Sequence, residues 1–244
     1  MPNAPTASAR CSIRARYREG PGGIRPTVGG RASTRLRSVP ALITPTLAGR
    51  HVTLEPLRLD LVAQIAAAAS GDRSTFGHTQ VPDGIEGATA YVSGLLADHA
   101  AGRAAPFAQR RVSDGVVVGC TRFMSPYWTL GRTDPDEIEV GGTWLSASAQ
   151  RTGINTEAKL LLLQHAFEHW RVQRVAICTD ARNDQSRRAI ERLGATFEGV
   201  LRRHRRSTRP DDVGLLRDTA TYSVTIDEWA SVKARLRRLS TRVV

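Results

Sequence analysis

The sequence predicts a single α/β domain, with a largely antiparallel sheet and one central crossover helix. Three observations lead there. From residue 50 onward, apolar runs of strand length alternate with runs of helical period. Three strand-like runs follow one another between residues 107 and 145, with a turn signal between the first two. A long apolar helical run then precedes another strand-like run at 174–180. With 244 residues, 41% of them apolar, the chain can bury one sizeable core.

Residues 1 to about 45 are rich in Arg, Gly, Pro and Ser and carry no apolar period, so they are expected to form a disordered basic N-terminal extension. They lack the apolar stretch of a secretory signal. The folded domain is expected over 46–244, ending in a basic helix. "HVTLEPL" (51–57) alternates Val52 and Leu54 with Thr53 and Glu55 and reads as the first strand. "LDLVAQIAAAASG" and "GATAYVSGLLADHAAG" (87–102) read as helices that stop at glycine. "FAQRRVS", "GVVVGCTRFM" and "EIEVGGTWL" are the three consecutive strands, the first two joined as a hairpin through Ser113-Asp114-Gly115. "TEAKLLLLQHAFEHW" (156–170) is the long helix and "RVAICTD" (174–180) a buried strand. "DQSRRAIERLG" (184–194) is a helix with a glycine stop. Two strands follow, the second of them "TATYSVTI" (219–226), and a last helix starts near Asp227.

No run of about 18 apolar residues occurs, so no membrane partner is expected. The three cysteines, Cys11, Cys120 and Cys178, are far apart and odd in number, which points to a reducing, cytoplasmic setting. The net charge is +12, yet residues 1–40 hold eight arginines against the single acid Glu19. The total charge therefore does not by itself indicate a nucleic-acid partner for the domain. Only two lysines occur, Lys159 and Lys233, a bias that fits a GC-rich coding sequence as well as it fits binding.

The stretch "AQRTGINTEAK" (149–159) joins the strand ending near Leu145 to the long helix. A helix start leaves four backbone N–H groups without intrahelical partners, at the positive end of the helix dipole, and this favours a bound anion. Gly153 is expected to let a bulky ligand approach the backbone, and Arg151 to add charge. An ordinary capped helix start gives the same pattern when this stretch is taken alone.

The spacing Gln150-x-x-Gly153-x-Asn155 resembles the Q/R-x-x-G-x-G/A signature of the GNAT superfamily of acyl-CoA-dependent N-acetyltransferases. "NDQSRRAIERLGATFEG" (183–199) resembles the superfamily's next block, and "GATFEGVLRRH" and "RDTATYSVTIDEW" are similar to the RimJ/RimL branch of ribosomal-protein N-terminal acetyltransferases. The resemblance spans roughly residues 50–230. It implies a mixed, mainly antiparallel seven-stranded sheet flanked by helices and splayed open to admit acetyl-CoA, the acyl-donor substrate. It sets that donor against Leu145, Gln150, Arg151, Thr152, Gly153, Ile154, Asn155, Thr156 and Asn183. Asn155 departs from the family's Gly or Ala, and Ile190 stands where many members carry a tyrosine acid. The resemblance gives the acid's role to Ser186, whose bland reading is a helix-start hydroxyl.

Acyl transfer from a thioester to an amine needs a neutral amine, a stabilised oxyanion and a protonated leaving thiolate. Glu139 lies two residues before Gly141-Gly142, where a bulge could splay the strand, and it is the expected base or amine anchor; an exposed strand carboxylate is the plain alternative. The acidic stretch Asp134, Asp136, Glu137 and Glu139 would draw a cationic acceptor. The acceptor is expected to be a protein N-terminus or a small amine. "HAFEH" (165–169) has the His-x-x-Glu-His spacing of zinc hydrolases, but no third ligand is signalled and no metal is expected. Basic termini motivate an alternative, a catalytically silent module of the same fold that contacts RNA or the ribosome. The chain is expected to be a monomer or homodimer.

Overall fold

A computed structural model describes residues 42–241, so the basic extension expected over 1–45 lies almost wholly outside the described residues. Leu42, ahead of the expected domain start, is buried in the main core.

The strands are β1 (Leu47–Ala48), β2 (Val52–Pro56), β3 (Ala104–Arg111), β4 (Val117–Tyr127), β5 (Glu137–Leu145), β6 (Arg174–Asp180), β7 (Thr196–Arg206) and β8 (Leu216–Thr225). The helices are α1 (Val62–Ala69), α2 (Gly84–Ala100), α3 (Ile154–Gln164), α4 (Asp184–Leu193) and α5 (Trp229–Thr241). All strands join one sheet in the order β1-β2-β3-β4-β5-β6-β8-β7, and only β5 and β6 run parallel. The sheet therefore has eight strands where seven were expected. The extra one, β1, is two residues long, too short to carry an alternating pattern, and it folds back on β2 through Gly49 N–H donating to the Val52 carbonyl at 2.9 Å.

Alternation of side chains along the strands sorts the two faces. Ile138, Val140, Val175, Ile177, Ala220, Tyr222 and Val224 enter the main core with α3, α4 and α5. On the other face, α1 and α2 pack Ile65, Ala68, Ala88 and Val92 against Ala108, Val117, Cys120 and Trp144. This second core stops at β5. Beyond it the same face is polar, carrying Glu139, Cys178, Asp180, Thr219 and Thr221, because these residues pair across the strands at positions that alternate with the apolar set.

Helix α3 starts at Ile154, two residues earlier than expected, and widens into a π turn over His165–His169. Glu157 in its first turn fixes the start of the domain, accepting from the backbone N–H groups of Arg50 (2.8 Å), His51 (2.5 Å) and Val52 (3.0 Å).

Candidate active site

Strands β5 and β6 pair only at Glu137–Arg174, Ile138–Val175 and Glu139–Ala176. Beyond Glu139 they diverge, so the β5 edge from Val140 to Leu145 faces no strand. A strand edge of this kind presents alternating N–H and C=O groups to any extended ligand that carries amides. The wedge continues into a cavity of ≈ 770 Å³, walled by Val140, Gly141, Thr143 and Leu145 of β5 and by Ile177, Cys178 and Thr179 of β6. Its other walls come from the start of α3, from Asn183, Ser186 and Ile190 at α4, and from the connection carrying Thr75, Phe76 and His78.

Strand β5 is also bulged on its other edge. Cys120 pairs with Trp144 and Arg122 with Gly141, so Thr121 of β4 stands opposite two residues, Gly142 and Thr143. Gly142 has φ +56°, and a Cβ there would lie 2.2 Å from Arg122 Nη1. A side chain at 142 would take a left-handed backbone and would have to displace the Arg122 guanidinium.

At the far end, the turn before α3 supplies the anion-favouring end of the cavity. Glu157 N–H is bonded to the Gly153 carbonyl at 2.9 Å, and Ile154 N–H meets Thr152 Oγ1 at 3.3 Å. Arg151, Thr152, Asn155 and Thr156 line the cavity. The residue that takes the left-handed conformation is Arg151, at φ +60°, a strained geometry for a residue with a side chain. Asn155 Oδ1 is buried without a hydrogen-bond partner among the described residues, so its side chain forms part of the wall and leaves an acceptor unsatisfied. Arg188 and Arg192 of α4 add positive charge to the lining.

A family model described as an acetyltransferase (GNAT) domain matches residues 51–196. The chain belongs to the GNAT acetyltransferase family. A crystal structure of a candidate acetyltransferase from T. thermophilus is 34% identical, with a TM-score of 0.67, covering 81% of this chain and 97% of that one. Mycobacterium smegmatis RimJ in complex with CoA-disulfide shares the fold at 24% identity and a TM-score of 0.63, covering 79% and 90% of the two chains. A Bacillus subtilis (strain 168) protein, YdaF, named as a candidate ribosomal N-acetyltransferase, is 34% identical over 95 residues, 38% of this chain. The match spans 48% of YdaF, about half that relative's length.

Within this GNAT domain, the residues expected at the donor site separate into two sets. Leu145, Gln150, Arg151, Thr152, Asn155, Thr156 and Asn183 line the cavity, as does Ser186, the expected acid. Gly153 and Ile154 do not. Ile154 is a core side chain, 3% exposed. Gly153 has an ordinary helical φ of −68°, and a Cβ there would meet the His51 ring, 3.2 Å from Cδ2. The bare backbone at 153 therefore makes room for His51; close approach of a ligand does not require it. Gln150 spends both amide protons on the protein, donating to Thr75 Oγ1 (2.8 Å) and to the Leu145 carbonyl (3.0 Å). It ties the end of β5 to the opposite wall. Asn183 caps α4 by accepting from Ser186 N–H at 2.9 Å.

Glu139 is 4% exposed, and both its oxygens accept from Arg205, at 2.7 and 2.6 Å. The two-pronged guanidinium contact orients the carboxylate and occupies both of its oxygens. Two more members of the acidic stretch are engaged. Asp136 accepts from Leu130 N–H at 2.6 Å, and Glu137 pairs with Arg174. Asp134 is half-buried and joins no ion pair among the described residues.

The polar "HAFEH" side chains contact α5 and one another. Glu168 accepts from Trp229 Nε1 at 2.9 Å and from Lys233, and the His165 and His169 rings stack with centroids 5.1 Å apart. Burial, reinforced by His169, lowers the His165 pKa to about 4. Asp218 braces the last hairpin by accepting from Arg203 N–H at 2.8 Å.

Sequence reasoning missed Lys159 as a member of the site. It lies on the buried face of α3, lines the cavity, and donates to Thr143 Oγ1 at 2.6 Å. Burial with no carboxylate beside it lowers its pKa to about 7. The signal was present, because Thr156, Lys159 and Leu163 fall on one helical stripe that faces inward.

Proposed function

We propose that the protein transfers an acetyl group from acetyl-CoA to a primary amine by direct attack in a ternary complex. The observation that carries this reading is the wedge between β5 and β6. It joins an unpaired strand edge, suited to a chain of amides, to an anion-favouring helix start suited to a pyrophosphate. Family membership supports it, as does the CoA-disulfide bound to the RimJ neighbour.

In this reading the donor's amides hydrogen-bond along Val140–Leu145, and its phosphates meet Arg151, Thr152 and the N–H groups opening α3. The bulge at Gly142 turns backbone N–H groups toward the thioester oxygen, where negative charge develops. The amine enters over the polar face of β6 and β8. Glu139, fixed by Arg205, orients the site as a held negative charge, and water carries the proton from the amine. Ser186 Oγ donates to the leaving thiolate. The name of the YdaF relative suggests a ribosomal acceptor, and a protein N-terminus in the cytoplasm is the acceptor this reading favours.

Measurement of free-thiol release from acetyl-CoA with a panel of amines and peptide N-termini tests this proposal, for wild type and Ser186→Ala. The expected result is turnover by wild type and a loss of about 10²-fold in kcat in the variant, with acetyl-CoA affinity kept. Unchanged kcat in the variant would remove Ser186 from the chemistry. If acetyl-CoA fails to bind wild type, the silent RNA- or ribosome-contacting module becomes the better reading.

A further inference from the structure

The acceptor end of the cavity holds polar atoms that lack partners. Arg217 lines the cavity and makes no hydrogen bond or ion pair among the described residues, and its Nε is buried and unsatisfied. Thr219, two residues along β8 on the same face, lies behind the lining, fully buried with Oγ1 unsatisfied. His78, on the opposite wall, has a buried Nδ1 in the same condition.

The three residues are linked through the frame around Asp180. Thr219 is the β8 partner of Asp180, and His78 Nδ1 lies 3.8 Å from Asp180 Oδ2. The loops on either side meet above this face. Thr208 Oγ1 donates to the His78 carbonyl at 2.8 Å, and Arg209 Nη1 lies 3.4 Å from His78 Nε2.

The neighbouring carboxylates are already taken. Asp180 is pushed up by burial, but the hydrogen bonds from Arg182 outweigh this and hold its pKa near 2. Arg182 also pairs with Asp212, which Ser207 Oγ joins at 2.9 Å. Glu139 belongs to Arg205, the β7 partner of Arg217 across the ladder. The balance leaves Arg217 as a half-buried guanidinium with no direct ion pair among the described residues, beside a second arginine, while Asp180 and Glu139 act on it only through space. Half-burial already lowers its pKa. Such a group is costly unless an anion arrives.

We propose that the amine acceptor carries an oxyanion, a carboxylate or a phosphate, close to its amine, and that Arg217 binds this oxyanion with His78 beside it. The inference rests on the acetyl-transfer reading for the position of the amine, and it narrows the acceptor class. An amine without an anionic neighbour leaves the guanidinium of Arg217 unsatisfied. One with such a neighbour supplies acceptors for it. The fork geometry of arginine suits either oxyanion.

The test uses two matched acceptor pairs. One is the peptide amides Ala-Glu-Ala-Ala and Ala-Gln-Ala-Ala; the other is O-phosphoethanolamine and ethanolamine. Each is assayed with the full chain, with Arg217→Gln and with Arg217→Lys. The expected result is a preference of about tenfold or more in kcat/KM for the charged member of at least one pair. The responding pair identifies the oxyanion. Arg217→Gln should abolish that preference through KM, leaving the neutral member within about twofold, and Arg217→Lys should restore part of it.

Equal use of both members of both pairs by wild type would overturn the proposal, as would an equal loss on charged and neutral acceptors in Arg217→Gln. Calorimetric titration of each acceptor, in parallel with acetyl-CoA, separates the two readings. If acetyl-CoA binds and the charged acceptors show no advantage, only the oxyanion site falls. If acetyl-CoA does not bind, the acetyl-transfer reading falls, and the charged-to-neutral affinity ratio still decides the role of Arg217.

Discussion

At the scale of single residues, Lys159 is the least conventional feature of the site. An amine buried against Thr143 Oγ1, with a pKa lowered to about 7 by burial, has an ordinary value of 10.5 once the chain unfolds. Between those values the unfolded chain binds a proton that the native chain does not, so native stability should rise as pH is raised from 7 toward 10. Lys159→Met keeps the length of the side chain and removes the titration. The expected outcome is a variant stabilised at pH 7 by on the order of 1–4 kcal/mol, whose advantage shrinks as pH approaches 10. Thermal melts of both proteins across this range check it, and parallel curves would show that burial of the amine carries no such cost. Arg151 and Gly153 make a related point. The left-handed conformation falls on the arginine, while the glycine serves the packing of His51.

At the scale of elements, α3 connects the two ends of the domain. Its Glu157 gathers three backbone N–H groups from the β1–β2 turn, and its first residues border the cavity. Glu157→Gln replaces a two-oxygen acceptor by one carbonyl oxygen and brings two amide protons to a site already crowded with donors. A loss of about 2–4 kcal/mol is expected from urea unfolding, since bonds to a charged acceptor are worth about 1.5–3 kcal/mol each. A loss below about 0.5 kcal/mol would mean that the turn is held by other contacts.

The elements were also the most legible part of the sequence. Five helices and seven strands followed from period, turn residues and glycine stops, because each presents a repeated choice over several residues. The two residues of β1 offer no such repetition. Leu145, Gln150, Arg151, Thr152, Asn155 and Thr156 were legible as cavity-lining residues because a strand-to-helix turn is local. The pairing of Glu139 with Arg205, 66 residues away, and the lack of a direct partner for Arg217 among the described residues were not legible, since both depend on how strands β5 to β8 lie beside one another.

At the scale of the whole molecule, the layout follows from where each face is covered. Helices α3, α4 and α5 bury one side, α1 and α2 bury the other only as far as β5, and the sheet parts between β5 and β6 where that cover ends. The central claim is that this parting is the seat of acetyl-CoA. Ala189 of α4 lines the cavity from a half-buried position, so Ala189→Trp fills the wedge without displacing the core. Calorimetric titration of acetyl-CoA into the full chain and into this variant is the most direct measurement. The expected result is one acetyl-CoA per wild-type chain and at least a tenfold weaker affinity in a variant that melts within a few degrees of wild type. Equal affinity in the two proteins, or no binding to wild type, would contradict the claim.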